Sequence, residues 1–281
     1  MTPFKDFKVT TSQPSSTVSW LRLTPSASTP TTRIIYLHGF TQQALVWLPA
    51  VLTNDSALES EITLVNLPGH GPRPTEVLDP QAFFHELSTL CEDAIVVGYS
   101  LGGRLALWWA MEHPSTARAL VLLSTNIAEL SESERRQREE SDLTLSQSIA
   151  AMDAKSYREF LTTWSQQPLF GPRVLNETAF RLRSDARPPS VAQALSTFSL
   201  AHQPPGRAFL SSWNRPVLIL FGEHDSKYAD IAQSLSSLRH PQSRRVSIQG
   251  AYHDLLHDAP ARTIKEVGNF VRALAPRPSS Q

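Results

Sequence analysis

Asp93-Ala94-Ile95-Val96-Val97-Gly98-Tyr99-Ser100-Leu101-Gly102-Gly103-Arg104 is the stretch on which the fold turns. Asp93–Tyr99 is a short, β-branched apolar run, the mark of a strand covered on both faces. Leu101–His113 carries a helical pattern. Between them, Gly98 to Gly102 matches G-x-S-x-G, which sets a serine on a sharp strand-to-helix turn. Side chains beside such a turn would collide with it, so glycines flank the serine. The Ser100 hydroxyl then stands at a helix N-terminus, where N–H groups and the helix dipole favour developing negative charge.

Outward from this turn the same rhythm repeats. Arg33–Leu37, Glu61–Leu67, Ala119–Leu123 and Pro216–Phe221 read as buried strands, and Arg244–Ile248 as a weaker one. Helical patterns occupy Pro80–Cys91, Tyr228–Leu238 and Ala259–Leu274. Strand and helix in alternation predict an α/β fold with a mostly parallel sheet. Val18–Leu23 alternates like a half-exposed strand, and Thr24–Thr32 (TPSASTPTT) reads as a loop. Residues 126–210 break the rhythm. They hold polar helices such as Ser131–Glu140 and Ser156–Trp164, with loop signals at Gln167-Pro168, Pro188-Pro189 and Pro204-Pro205-Gly206. The rhythm resumes at Pro216, so residues 1–125 and 211–281 form one core and 126–210 a helical cap inserted into it. The tail after Leu274 is expected to fray.

Composition narrows the function. Of 281 residues, 26 are Lys or Arg and 26 are Asp or Glu, so the formal charge is zero. That removes the usual electrostatic reason to bind nucleic acid or an anionic membrane. No apolar run approaches the ~20 residues that span a bilayer, and the N-terminus lacks the apolar segment of a signal peptide. The single cysteine, Cys91, can form no internal disulfide. The expectation is a cytoplasmic protein, monomeric or weakly self-associating, acting on a small molecule.

A serine that acts as nucleophile or base needs a histidine to take its proton and a carboxylate to orient that histidine. In this architecture they follow in the order serine, acid, histidine. Asp225, in Gly222-Glu223-His224-Asp225 after a strand, is the candidate acid, with a helix-cap role as its plain alternative. His253, in the loop after the sixth buried strand, is the candidate histidine. His257 is its rival. The His253-x3-His257 spacing also fits two metal ligands, but no Glu follows His253 and no third ligand is evident, so no metal or other cofactor is expected. Two N–H donors for an oxyanion are expected from Leu101 and from Phe40, in His38-Gly39-Phe40-Thr41. His38 itself reads as a brace for that loop.

These motifs, with Leu67–Gly71 (LPGHG), resemble the α/β-hydrolase superfamily. Within it, GYSLGGR at 98–104, FLTTWSQQPLF at 160–170, LRS at 182–184, SLAHQP at 199–204 and GEHDSK at 222–227 are similar to one family. It is the 2-succinyl-6-hydroxy-2,4-cyclohexadiene-1-carboxylate synthases of menaquinone biosynthesis. RRQREESD at 135–142 resembles that family's arginine-rich first cap helix. The resemblance runs from about Arg33 to Leu274. It implies a lyase whose Ser100–His253–Asp225 triad removes a ring proton so that pyruvate is eliminated. The substrate would be a tricarboxylate, and the motif matches place Arg104, Arg138 and Arg183 on it, with Tyr99, Thr41 and Trp164 as further pocket residues. These arginines are expected to serve substrate rather than fold. Two positions depart from the pattern: Tyr252 stands where a glycine usually precedes the histidine, where a ring would narrow the pocket or shift the loop, and Ser165 follows Trp164 where an aromatic is common. The competing readings are a carboxylic-ester or thioester hydrolase with the same triad, and a non-catalytic binding protein of this fold.

Overall fold

The computed structural model describes residues 4–12, 18–53, 59–71, 79–235 and 237–274. The tail expected to fray lies outside them. In chain order the elements are β1 (Phe7–Thr11), β2 (Trp20–Pro25), β3 (Thr32–Leu37), α1 (Leu48–Leu52), β4 (Ser60–Val65), α2 (Pro80–Leu90), β5 (Ile95–Tyr99), α3 (Leu101–Glu112) and β6 (Ala119–Leu123). Then follow α4 (Glu132–Ala150), α5 (Ala154–Ser165), α6 (Glu177–Ser184), α7 (Pro188–Thr197), α8 (Arg207–Ser212), β7 (Val217–Gly222), α9 (Ser226–Ser234), β8 (Arg244–Ile248), α10 (Leu255–Asp258) and α11 (Pro260–Leu274).

The strands form one sheet in the order β1-β2-β4-β3-β5-β6-β7-β8. The β1–β2 and β2–β4 pairings are antiparallel, and every other pairing is parallel. Successive side chains of a strand point to opposite faces, so a sheet covered on both sides needs apolar residues at every position. Ile35, Leu37, Val96, Leu120 and Leu122 accordingly pack with Phe83, Phe84 and Trp109 on one face. Ile34, Tyr36, Ile95, Val97 and Val121 pack with Trp47 and Phe270 on the other.

Helices α4 to α8 are inserted between β6 and β7. The two ends of the insertion meet, since Gly206 N–H donates to Ile127 O at 2.7 Å and Arg207 N–H to Glu129 Oε1 at 2.8 Å. The insertion has its own apolar centre, with Ile149, Tyr157, Leu161, Phe180, Val191 and Leu195. Ser131 opens α4 with a capping box, its hydroxyl accepting from Glu134 N–H while the Glu134 carboxylate accepts from Ser131 N–H.

Three expectations are corrected. Pro188-Pro189 is not a loop but the first turn of α7, where a missing N–H costs nothing. Thr24 and Pro25 belong to β2 rather than to the following loop, paired with Lys8 and Phe7 at the sheet edge. The edge strand β1 has no counterpart in the sequence reading. It is largely exposed and shows no apolar run.

The turn at Ser100 depends on close backbone approach. Ser100 has φ 50° and ψ −108°, a strained conformation for a residue with a side chain. A Cβ on Gly102 would lie 2.4 Å from Leu37 O and 2.6 Å from His38 O. Both are backbone atoms that cannot swing aside. Gly102→Ala is therefore expected to lower unfolding free energy by about 3 kcal/mol. Gly206→Ala should cost clearly less, because its Cβ meets the flexible end of Leu107. Urea unfolding of the two variants beside the parent checks the order, and equal losses would refute it.

Candidate active site

Ser100, His253 and Asp225 form one hydrogen-bonded line. Ser100 Oγ lies 3.0 Å from His253 Nε2, and His253 Nδ1 lies 2.9 Å from Asp225 Oδ2. A carboxylate can only accept, so Nδ1 carries the proton and Nε2 is left to accept from the serine hydroxyl. Asp225 and His253 are almost wholly buried. Asp225 sits at the start of α9, yet its side chain makes no capping bond there; it turns to the histidine. Glu223 points elsewhere and accepts from Gly250 N–H at 2.8 Å. His257 lies on α10, one turn beyond the line. The rings of Tyr99, Phe170 and Tyr228 surround the His253 imidazole at centroid distances of 5.6, 5.6 and 4.5 Å.

Across from Ser100 runs the loop after β3. His38 Nδ1–H donates to Gly39 O at 2.8 Å, and His38 Nε2 accepts from Leu67 N–H at 3.0 Å. His70 repeats the arrangement, with Nδ1–H to Pro68 O at 3.0 Å and Nε2 accepting from Thr41 N–H at 3.2 Å. The two imidazoles thus tie the loop to the turn after β4, and Thr41 is held at φ 64°. Between these anchors the N–H groups of Phe40 and Leu101 find no acceptor among the described residues.

A family profile described as alpha/beta hydrolase fold matches residues 32–260. The 2-succinyl-6-hydroxy-2,4-cyclohexadiene-1-carboxylate synthase of Enterobacter sp. (strain 638) is 31% identical over 254 residues, covering 85% of this chain and 91% of that protein. This chain belongs to that family of α/β-hydrolase-fold enzymes. MenH from S. aureus superposes with a TM-score of 0.80 at 20% identity, over 92% of this chain and 99% of that one. A thermophilic esterase from Thermogutta terrifontis superposes at 0.71 with 17% identity, over 96% of this chain and all of that one. The fold is thus shared by proteins of different chemistry, and the cavity has to separate them.

In this synthase-family chain the core and the insertion enclose a cavity of about 240 Å³ beside Ser100. Each pocket residue expected from sequence lines it: Phe40, Thr41, Tyr99, Leu101 and Arg104 from the core, and Arg138, Trp164 and Arg183 from the insertion. Trp164 stands edge-on to Phe40 at 5.4 Å. Of the arginine-rich run on α4, Arg135 braces the Ala201 and Gln203 carbonyls, Arg136 pairs with Glu132 in solvent, and only Arg138 reaches the cavity. The Tyr252 ring does not line the cavity. It packs against His224 at 4.9 Å and covers Gly171, so it does not narrow the pocket.

The arginines form two groups. Arg104 donates to Phe198 O at 2.8 Å; burial, and then Arg138, lower its pKa to about 10, which still leaves it charged at neutral pH. Arg138 Nε donates to Asp142 Oδ2 at 2.7 Å, and the Ser199 hydroxyl donates to the same oxygen. In the second group Arg183 and Arg173 both donate to Asp254 Oδ2, at 3.0 and 2.9 Å. Arg183 therefore also supports the fold, which the sequence reading did not anticipate. Arg173 and Asp254 were missed altogether. Arg173 follows Gly171-Pro172 in a loop with no periodicity, and Asp254 read only as the neighbour of His253.

Burial drives the His70 pKa from 6.5 down to about 4. A histidine with a lowered folded pKa contributes stability that is complete above about pH 6.5 and decays as pH falls toward 4. His70→Gln keeps an acceptor for Thr41 N–H but cannot titrate. Between pH 7 and pH 5 the parent should lose about 2 kcal/mol more unfolding free energy than His70→Gln. Urea melts at both pH values check this, and parallel losses would sink it.

Proposed function

We propose that this chain is a carbon–oxygen lyase that converts 2-succinyl-5-enolpyruvyl-6-hydroxy-3-cyclohexene-1-carboxylate to 2-succinyl-6-hydroxy-2,4-cyclohexadiene-1-carboxylate and pyruvate, a step of menaquinone biosynthesis. Ser100, His253 and Asp225 serve as a base. The Ser100 oxygen takes the ring proton next to the succinyl carbonyl while His253 Nε2 holds the serine proton and Asp225 steadies the imidazolium. The electron pair of the broken C–H bond passes into an enolate, whose oxygen the Phe40 and Leu101 N–H groups stabilise. Its collapse forms the C2–C3 double bond, shifts the existing C3–C4 double bond to C4–C5, and breaks the C5–O bond to the enolpyruvyl group. The departing enolpyruvate takes a proton and leaves as pyruvate. No cofactor takes part, and the single cysteine, Cys91, is buried and free, in keeping with a cytoplasmic enzyme.

One observation carries this reading. Arg104, Arg138, Arg173, Arg183 and Lys227 line the cavity against only Asp142 and Asp254. The excess of three positive charges suits a substrate with three carboxylates, which planar guanidinium forks hold well. A neutral ester would leave those charges unanswered. Residues 126–210 act in this reading as the cap that brings Arg138, Arg173 and Arg183 over Ser100.

Pyruvate release from the authentic intermediate is the deciding assay. Ser100→Ala, Asp225→Asn and His253→Ala should each lower turnover by ~10²–10⁴, with His257→Ala near the parent. Fast cleavage of p-nitrophenyl acetate without pyruvate release would establish the hydrolase instead.

Arginine replacements should divide into two kinds. Arg104→Ala should lower kcat/KM by about one to two orders of magnitude, with lysine a partial rescue and the melting temperature little moved. Arg138→Ala and Arg183→Ala should lower both, because each also leaves a buried carboxylate, Asp142 or Asp254, short of a partner. Michaelis curves and thermal melts on the same preparations separate the two kinds; unchanged kcat/KM in all three would remove the polyanion argument.

A further inference from the structure

Asp254 is almost wholly buried, and both of its oxygens are engaged. Oδ2 accepts from Arg173 Nη1 at 2.9 Å, Arg183 Nη2 at 3.0 Å and Gln42 Nε2 at 3.4 Å. Oδ1 accepts from His257 N–H at 3.3 Å, at the start of α10. Asparagine or serine would serve that capping role equally well, so the cap does not account for a charged side chain here. Burial works against ionisation of Asp254, but Arg183 and Arg173 together outweigh it and hold the carboxyl below its ordinary range. The same segments meet through the backbone, where His253 N–H donates to Leu169 O at 3.3 Å, and Arg173 lies over the Phe170 ring at 4.4 Å. Asp254 therefore fixes two arginines of the insertion beside the histidine loop of the core.

It also sets their charge. Two guanidiniums facing one cavity corner would carry two positive charges and would favour an oxyanion that bears two negative charges on one centre. We propose that Asp254 is the specificity-determining residue of this corner: by holding Arg173 and Arg183 on one carboxylate oxygen it leaves a single net charge, so the corner takes a carboxylate in preference to a sulfate-like or phosphate-like dianion. The other arginine group of the cavity is built alike, with Asp142 set against Arg138 beside Arg104. The other titratable groups near this corner are Tyr99, His253, His257 and Asp258; Asp258 accepts from Tyr252 N–H at 2.9 Å and does not line the cavity, and Tyr99 stays protonated because burial raises its pKa well above its ordinary value. The inference rests on the cavity being a polycarboxylate site.

Calorimetric titration of the full chain with benzoate and with sulfate at pH 7 tests this without any turnover. Asp254→Asn keeps the shape and removes the charge, leaving one acceptor oxygen in place of two. It should raise sulfate affinity relative to benzoate by about tenfold. Arg173→Gln makes the corner neutral and should weaken benzoate by about tenfold. The double variant Arg173→Gln/Asp254→Asn returns the net charge to one and should restore the parent's preference, a rescue that a purely structural role for Asp254 would not give. An unchanged ratio in Asp254→Asn, a double variant no better than either single one, or no binding of either anion by the parent would overturn the proposal. Should Asp254→Asn fail to fold, undiminished benzoate binding by Arg173→Gln would do the same. A parent that binds these anions but releases no pyruvate would defeat the lyase reading alone and leave this one standing.

Discussion

The passage of Gly102 against the carbonyls of Leu37 and His38 is the constraint on which the site depends. It brings the first turn of α3 against the end of β3 and the loop that follows. With that contact in place Ser100 takes its strained backbone, φ 50° and ψ −108°, at the start of α3. No hydrogen bond could substitute for it, because what is needed is the absence of a side chain. The strain at Ser100 persists because the sheet on one side and α3 on the other leave the backbone no alternative. His38 and His70 then fix the second wall from within, each holding one ring nitrogen to a carbonyl and the other to an N–H. Their lowered pKa values follow from the same burial that makes the wall rigid.

Charge in the cavity follows a different logic from charge in the core. A buried arginine destabilises a fold unless something answers it, and a buried pair rarely repays its own desolvation. Here Asp142 and Asp254 each answer part of an arginine group and leave a remainder. A remainder in each group is what a bound polyanion would complete. The desolvation of these groups is met during folding, so a ligand's carboxylates would find donors already oriented.

Much of this was legible in the sequence because it is written in short local patterns. The β-branched runs gave the parallel strands, and the glycines around Ser100 gave the turn. The positions of Asp225 and His253 at strand ends placed them near Ser100, since parallel strands deliver their C-terminal ends to one edge. What escaped is non-local or lacks periodicity. β1 is an exposed edge strand that pairs only with β2, so no apolar run marks it. Pro188-Pro189 looks like a break, although proline at a first helical turn is a start signal. Arg173 acquires its meaning only when its loop is folded over a residue 81 positions away. Nothing in a linear reading distinguishes it from a solvated arginine such as Arg136.

The same arrangement of Ser100, His253 and Asp225 would serve ester hydrolysis or proton abstraction, and its distances do not choose between them. The choice lies in what the cavity presents to the serine oxygen. An ester hydrolase needs an electrophilic carbon held against Oγ and room for water to reach an acyl intermediate. A lyase needs an acidic C–H there instead, with the carbonyl that acidifies it resting on the oxyanion donors. Two arginine groups in one cavity with Ser100 would hold a polycarboxylate at several points and so set the orientation of everything between them. Arg138, Arg173 and Arg183 come from the insertion, whereas Ser100, His253 and Asp225 come from the sheet. On the proposed reading, which atom meets Ser100 would be set largely by the insertion, so that relatives of one fold could differ in chemistry while the strands and their loops stay the same.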